Sequence, residues 1–335
     1  MEKKICLTGI KPTGSPHLGN YLGAIRPALE NLKSSSAENY FFIADYHAHT
    51  SVKDPKLFRQ YVIELAATWL ACGLDPEKVV FYRQLDVPEL FELNWLLACH
   101  TPKGDLNRAH AYKALVQENE QKGNKDPDHG VNMGLYTYPL LMSADILLFD
   151  ANLVPVGKDQ IQHVEIARSI AKRINQYYKT EVLVEPQEVI EENVATIIGL
   201  DGRKMSKSYN NTIPLFCPEK KLKKLINKIT SDSTGPDQPK DPDSSYVYEF
   251  YKYFSNPEQL KNFRAQLEKG ISWGEAKAEL FEVVNDQLKA MREKYNELVN
   301  DPAHIDSLLK QGGEKAREKA SATMKRVRKN LLGIG

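Results

Sequence analysis

Four short apolar runs divide the first half of the chain, and each leads into a helical pattern. They are Lys4 to Thr8, Tyr40 to Ala44, Val79 to Tyr82 and Leu153 to Val156. An unbroken run of this length suits a strand buried on both faces. Strands that alternate with helices pack as a parallel sheet covered on both sides, so the expectation is a doubly wound α/β fold. Between the runs, Tyr21, Leu22, Ile25 and Leu29 share one helical face after Gly19. Asp54-Pro55 reads as an N-cap with proline in the first turn of a helix that stops at Gly73. Pro88 opens another helix, Gly134 to Phe149 turns helical after Pro139, and Ile161 to Ile174 is amphipathic. Val182 to Val184 reads as a last strand.

At 335 residues, one or two domains are expected. Residues 101–135 break the alternation with scattered lysines and the loop Gly123 to Val131, which reads as a mobile insertion. The expected division is an α/β domain over 1–209 and an all-helical domain over 210–335. A net charge of +1 gives no global pull toward nucleic acid. Local basic patches remain, at Lys220, Lys221, Lys223 and Lys224 and again at Lys325 to Lys329. The four cysteines form no CxxC pair, which argues for free thiols rather than a zinc knuckle. The longest apolar stretch, Leu140 to Phe149, contains Asp145 and falls short of the roughly 20 residues of a membrane span. The run behind Lys3 and Lys4 is too short for a signal peptide, so the expected location is the cytoplasm.

Two stretches carry the chemistry of an anionic nucleotide. Gly9 to Tyr21 follows the first strand and opens a helix; its glycines and prolines let backbone approach a ligand, and the helix start offers free N–H groups. Lys204-Met205-Ser206-Lys207-Ser208 can aim two ammonium groups at phosphates. No GxGxxG follows a strand and no GxxxxGK[ST] occurs. Asp45, His47 and His49 at a strand end invite a metal reading, but no second acidic or histidine cluster completes a shell, so no metal site is expected. Asp145 sits in an apolar helix, where a carboxylate is costly without a partner. Either a neighbouring group bonds it, or it accepts a polar hydrogen from an apolar ligand such as an indole N–H.

Together these motifs resemble class I aminoacyl-tRNA synthetases, with His17-Leu18-Gly19-Asn20 standing for "HIGH" and Lys204 to Ser208 for "KMSKS". Tyr136 to Phe149, Val154 to His163, Gly19-Asn20-Tyr21 and the Asp45–His47 strand end look like the bacterial tryptophanyl-tRNA synthetases in particular. The resemblance implies a Rossmann-like catalytic domain that activates tryptophan with ATP and Mg²⁺, and a helical domain that meets tRNA(Trp) in a homodimer. It places Lys11, Pro12, Thr13, His17, Gly19 and Asn20 against ATP, Gly157, Lys158 and Asp159 at the ribose, and backbone near Ile197 at the adenine. Lys204, Met205, Ser206, Lys207 and Ser208 would close over the triphosphate. Asp145 would take the indole N–H, with His47, Tyr138, Met142, Ile146, Val154, Val156 and Gln160 around the amino acid. His17, Lys113, Lys204 and Lys207 would act in catalysis, Lys113 approaching the nucleotide on closure. Lys11 departs from the Gln or Arg usual in the family, and Leu7 stands where an aromatic residue can sit. Tyrosyl-tRNA synthetase shares fold and motifs and stays open as an alternative, as does a silent paralogue that binds tRNA or tryptophan.

Overall fold

A computed structural model describes residues 3–190 and 197–334. Five parallel strands form one sheet in the order β3-β2-β1-β4-β5, the doubly wound arrangement expected from the sequence. They are β1 (Ile5–Ile10), β2 (Glu38–Ile43), β3 (Val80–Arg83), β4 (Leu153–Val156) and β5 (Gln187–Ile190). β1 and β2 pair along their whole length, from Ile5 opposite Glu38 to Ile10 opposite Ile43. The order reverses between β1 and β4, and a crevice opens there at the strands' carboxyl ends.

The strands send alternate side chains to two cores. Phe41, Ile43 and Phe81 join one core, and Tyr40, Phe42 and Tyr82 join the other. After β1 the chain enters α1 (Leu18–Asn20), a π-helical turn over Tyr21–Ile25, and α2 (Arg26–Ser34). Next come α3 (Asp45–Ala48), which starts directly after β2, and α4 (Pro55–Ala71). The Asp54 side chain caps α4 by accepting the N–H groups of Lys56 and Leu57. α5 (Glu89–Cys99) follows β3. Residues 101–135 hold α6 (Lys103–Asn107) and α7 (His110–Gln121). The loop after α7, expected to be mobile, is folded around the buried Asn119, whose amide donates to the carbonyls of Pro127 and His129 at 2.9 and 2.8 Å.

Two sequence expectations are corrected. Pro139 does not start its helix; it lies inside α8 (Met133–Leu148). Its missing N–H would have served the Leu135 carbonyl; the hydroxyls of Thr137 and Ser143 bond other carbonyls one turn back, those of Met133 and Pro139, at 2.7 and 2.8 Å. The last strand is not 182–184 but β5, which starts five residues later. Val182 and Leu183 are buried without pairing, because the Asn175 side chain of α9 (Ile161–Tyr178) takes both of their N–H groups. β5 is a polar edge strand, which is why its apolar signal is weak.

The remaining helices are α10 (Glu219–Ile226), α11 (Tyr246–Phe254), α12 (Pro257–Lys269), α13 (Trp273–Asn300) and α14 (Pro302–Val327). α14 crosses the free edge of β3. Ile305 and Leu309 belong to the core on one face of the sheet, while Ala316, Ala320, Met324 and Val327 belong to the other. Gly312 lies at the crossing, where a Cβ would stand 1.7 Å from the Phe81 carbonyl oxygen. Ion pairs clamp the helix: Arg317 on Glu89 at 3.0 Å, Lys319 on Asp150 at 2.7 Å, and Arg328 on Glu92. Among the described residues, no helix is long and apolar enough to cross a membrane.

Candidate active site

Two contiguous cavities occupy the crevice, sharing Gly9, Lys11 and Gly157. The larger, of about 850 Å³, is lined by Lys11, Lys158, Lys204, Lys207 and His17, with no carboxylate among its described lining residues. Thr13, Gly19, Asn20, Ile197, Met205 and Ser206 line it as well. Ser208 follows this lining in the 3₁₀ turn Lys207–Tyr209, and Pro12 is buried beside it. The side chain of Asp159 lies outside the described residues, although its backbone belongs to the turn Lys158–Gln160.

The Gly9–Tyr21 stretch and the Lys204–Ser208 loop are built into one unit. Leu18 N–H donates to the Ile213 carbonyl and Leu215 N–H to that of Pro16, so the chain after the Ser/Lys loop pairs with the start of α1. Met205 is buried against Gly19, whose N–H lies 3.2 Å from the methionine sulfur. The Ile197 carbonyl accepts the Met205 N–H at 2.8 Å. Asn211, three residues beyond the Ser/Lys loop, is buried and pins it. Its Oδ1 accepts the Ser206 N–H at 2.8 Å, and its Nδ2 donates to the Lys204 carbonyl at 3.1 Å and to Asp201.

His17 caps α1 through its ring: Nδ1 accepts the Asn20 N–H while Asn20 Oδ1 accepts the His17 N–H. An accepting Nδ1 leaves the proton of the neutral ring on Nε2. Burial first, and the Lys207 ammonium second, push the His17 pKa down to about 4, so the ring is neutral at pH 7. Lys207 lies over the turn at Gly14, with Nζ 3.4 Å from the Thr13 carbonyl. Gly14 has φ +121°, and a Cβ there would come within 2.5 Å of that Nζ. Desolvation lowers the pKa of Lys207 and also that of Lys11, whose Nζ donates to Thr50 at 3.1 Å.

The second cavity, about 490 Å³, is apolar apart from a few polar groups. His47, Tyr138, Met142, Asp145, Ile146, Val154, Val156 and Gln160 all line it, with Leu7 and Phe42 as further walls. Asp145 is almost wholly buried on α8. His47 Nε2 lies 2.9 Å from its Oδ2, and the Gln84 amide donates to Oδ1 and Oδ2 at 2.8 and 2.9 Å. Burial raises the Asp145 pKa, opposed by His47 and then Gln84. Tyr138 bonds His163 through its hydroxyl and meets His47 edge to face, ring centroids 5.9 Å apart. Asp45 is turned away: its Oδ1 accepts the N–H groups of Tyr46 and Leu85 at 2.8 and 3.2 Å, and Oδ2 is buried without a partner. Among the described residues, no group of three or more His, Cys, Asp or Glu side chains gathers to hold a metal ion.

Sequence reading missed Gln84. It follows β3 directly, and a polar residue at a strand's carboxyl end is the signal that marks it. Lys113 is exposed on α7 and lines neither cavity. In the basic tail, Arg326 and Arg328 are committed to Asp150 and Glu92, which leaves Lys325 and Lys329 as the exposed cations there.

Residues 1–299 match the family model described as tRNA synthetases class I (W and Y). The chain is 52% identical over 334 residues to a tryptophan–tRNA ligase of Neisseria meningitidis, covering 100% of this chain and 99% of that one. It is 53% identical to a tryptophan–tRNA ligase of Pseudomonas aeruginosa, over 96% of this chain and 72% of the other. The fold superposes on tryptophanyl-tRNA synthetase from Campylobacter jejuni, crystallised with ADP and tryptophan, at a TM-score of 0.90 and 43% identity, covering 98% of this chain and 100% of that one. A motif pair joined by backbone pairing, a cation-lined cavity and an adjoining apolar one are thus found in a chain that belongs to the class I aminoacyl-tRNA synthetases of the tryptophan and tyrosine type.

Proposed function

We infer that the chain joins tryptophan to tRNA(Trp) with ATP. The observation that carries this reading is Asp145: a buried carboxylate at the wall of an apolar cavity that opens onto a cation-lined one. Oδ2 is engaged by His47 and Gln84, whereas Oδ1 accepts from Gln84 alone, which leaves it capacity for one further N–H. An indole supplies one such donor on a large apolar ring. A phenylalanine ring would leave that capacity unused inside a desolvated site, and such sites reject ligands lacking the donor strongly.

In the first step a tryptophan carboxylate oxygen attacks the α-phosphorus of ATP, and the bond to the β-phosphate breaks, giving tryptophanyl-adenylate and pyrophosphate. In the second, a ribose hydroxyl at the tRNA 3′ end attacks the acyl carbon and AMP leaves. The work of the protein in the first step is positioning and charge stabilisation. Lys204 and Lys207 meet the phosphates as negative charge shifts to the leaving group, and neutral His17 donates from Nε2 rather than acting as a base. Mg²⁺ would travel with ATP, held by phosphate oxygens and water. Gly157 and Lys158 take the ribose side, and Lys113 approaches only if α7 moves.

We propose further that residues 1–209 carry catalysis and 210–335 the tRNA contacts, in the cytoplasm. Lys220, Lys221, Lys223 and Lys224 are exposed on α10 and supply phosphate contacts. A homodimer is supported by an exposed apolar patch of Tyr46, Leu85, Phe91 and Trp95, the last 69% exposed. A monomer in sedimentation equilibrium at micromolar concentration would overturn the dimer. The central test is ATP–pyrophosphate exchange with tryptophan, tyrosine or no amino acid. Exchange with tryptophan alone is expected, and exchange with tyrosine alone overturns the reading of the pocket.

A further inference from the structure

We propose that Gln84 is a positioning residue that selects for tryptophan by holding the Asp145 carboxylate in a single orientation, one oxygen turned to the ligand. This rests on the tryptophan reading of the cavity given above. Gln84 is 1% exposed, at the carboxyl end of β3, and does not itself line the cavity. Its amide cannot turn over. Oε1 accepts the Tyr46 N–H at 3.1 Å, which fixes Nε2 on the Asp145 side, where it bridges both carboxylate oxygens at 2.8 and 2.9 Å. His47 approaches Oδ2 only. Three contacts therefore fall unevenly on two oxygens, two on Oδ2 and one on Oδ1. The remaining lone-pair capacity of the carboxylate is concentrated on Oδ1. Without Gln84, the carboxylate would be held through His47 alone, free to rotate about its terminal bond, and burial would favour its protonated form.

The amide is the residue type this arrangement requires. It must accept on one side and donate on the other without carrying charge. A lysine would pair with Asp145 and remove its acceptor capacity, and a carboxylate would repel it. The titratable groups around Asp145 are His47 from α3, Tyr82 from β3, Tyr138 on its own helix with His163 behind it on α9, and Lys11 at the cavity mouth. Gln84 donates to Asp145 without itself titrating. Tyr46 N–H keeps a second acceptor in Asp45 Oδ1 at 2.8 Å, so removing the Gln84 amide does not orphan that group.

Two substitutions test this with opposite signs. Gln84→Met keeps the shape and removes the donor. Because Gln84 lowers the pKa of Asp145 and burial raises it, loss of the amide moves the titration of Asp145 further up. The expected result is a KM for tryptophan raised about 10- to 100-fold, the loss worsening toward the acid end of the pH range in which wild-type protein exchanges, with the KM for ATP changed less than about twofold. Gln84→Glu can donate to Asp145 only while the two carboxyls share a proton. Its kcat/KM for tryptophan should recover toward low pH and fall as pH rises. Exchange with ATP and tryptophan across this range, together with thermal unfolding of each variant, reads both. Parallel losses in the two KM values, or a tryptophan KM independent of pH in both variants, would overturn the proposal. Wild-type protein that fails to exchange with tryptophan would instead overturn the function on which it rests.

Discussion

Replacing Gly312 by alanine probes the link between the C-terminal helix and the amino-acid cavity. A Cβ at this position would stand 1.7 Å from the Phe81 carbonyl oxygen and 2.6 Å from its carbon, where real contacts stay beyond 3.0 Å. The obstacle is sheet backbone, so α14 must retreat by more than 1 Å. The helix holds apolar side chains in both cores and ion pairs to Glu89, Glu92 and Asp150, and these anchors resist the shift. Overpacking of this kind costs about 2–4 kcal/mol. At roughly 2 °C per kcal/mol for a chain this long, Tm should fall by about 4–8 °C. The strand under pressure ends at Arg83, next to Gln84, and Arg83 is tied to Asp306 of α14 at 2.8 Å. A displacement there should raise the tryptophan KM by about tenfold while the ATP KM holds. Gly274→Ala, in the first turn of α13 with nothing nearer than 3.9 Å, is the control, and helix propensity predicts a gain of up to ~1 kcal/mol. An unchanged Tm would refute the edge contact. A lower Tm with an unchanged tryptophan KM would refute its coupling to the cavity.

Two further outcomes follow from charge. Lys207→Ala removes the second cause of the depressed His17 pKa and leaves the first, burial, in place. In an NMR titration the pKa of His17 should therefore rise from about 4 yet stay below 6.5, and single-turnover adenylate formation should drop by about 10²–10³. A static His17 titration or an unchanged rate would count against the reading. Burial raises the Asp45 pKa to about 7 from an ordinary 3.8, so the folded state binds the proton that the unfolded state has lost. Stability thus declines as pH rises from about 4 to 7 and levels above 7, a cost of at most about 4 kcal/mol. Asp45→Asn should lose that slope, its advantage in Tm widening from pH 5 to pH 8. Parallel Tm profiles for the two proteins would show that Asp45 does not titrate there.

What the sequence disclosed depends on where each signal is generated. β1 to β4 were legible because burial on both faces leaves continuous apolar runs, and the switch between β1 and β4 follows from that alternation. β5 was missed because an edge strand needs no apolar run, while the run that does exist, at 182–184, is buried under α9 without pairing. Pro139 looked like a helix start because proline favours the first helical turn, while the helix that encloses it starts six residues earlier, at Met133. Lining residues on the strand ends and on α8 could be named from local motifs. Asn211 could not, and Gln84 only by its place at the end of β3, since each works through contacts to segments distant in sequence or to backbone that folding alone brings near.

The same distinction explains how the amino-acid cavity is held. Its walls come from strand ends and α8, but the polar groups behind them converge on one place, the carboxyl end of β3. Gln84 reaches Asp145 from there, Leu85 N–H fixes Asp45, and Arg83 binds both Asp86 and Asp306. β3 is also the edge strand that α14 covers. An edge strand left open would be free to fray and to pair with other chains. Covering it with a helix anchored in both cores makes its end a fixed point, and Gln84 needs a fixed point if a neutral amide is to orient a buried charge. The helix that closes the fold at its C-terminus thereby bears on the selectivity of a cavity it does not line.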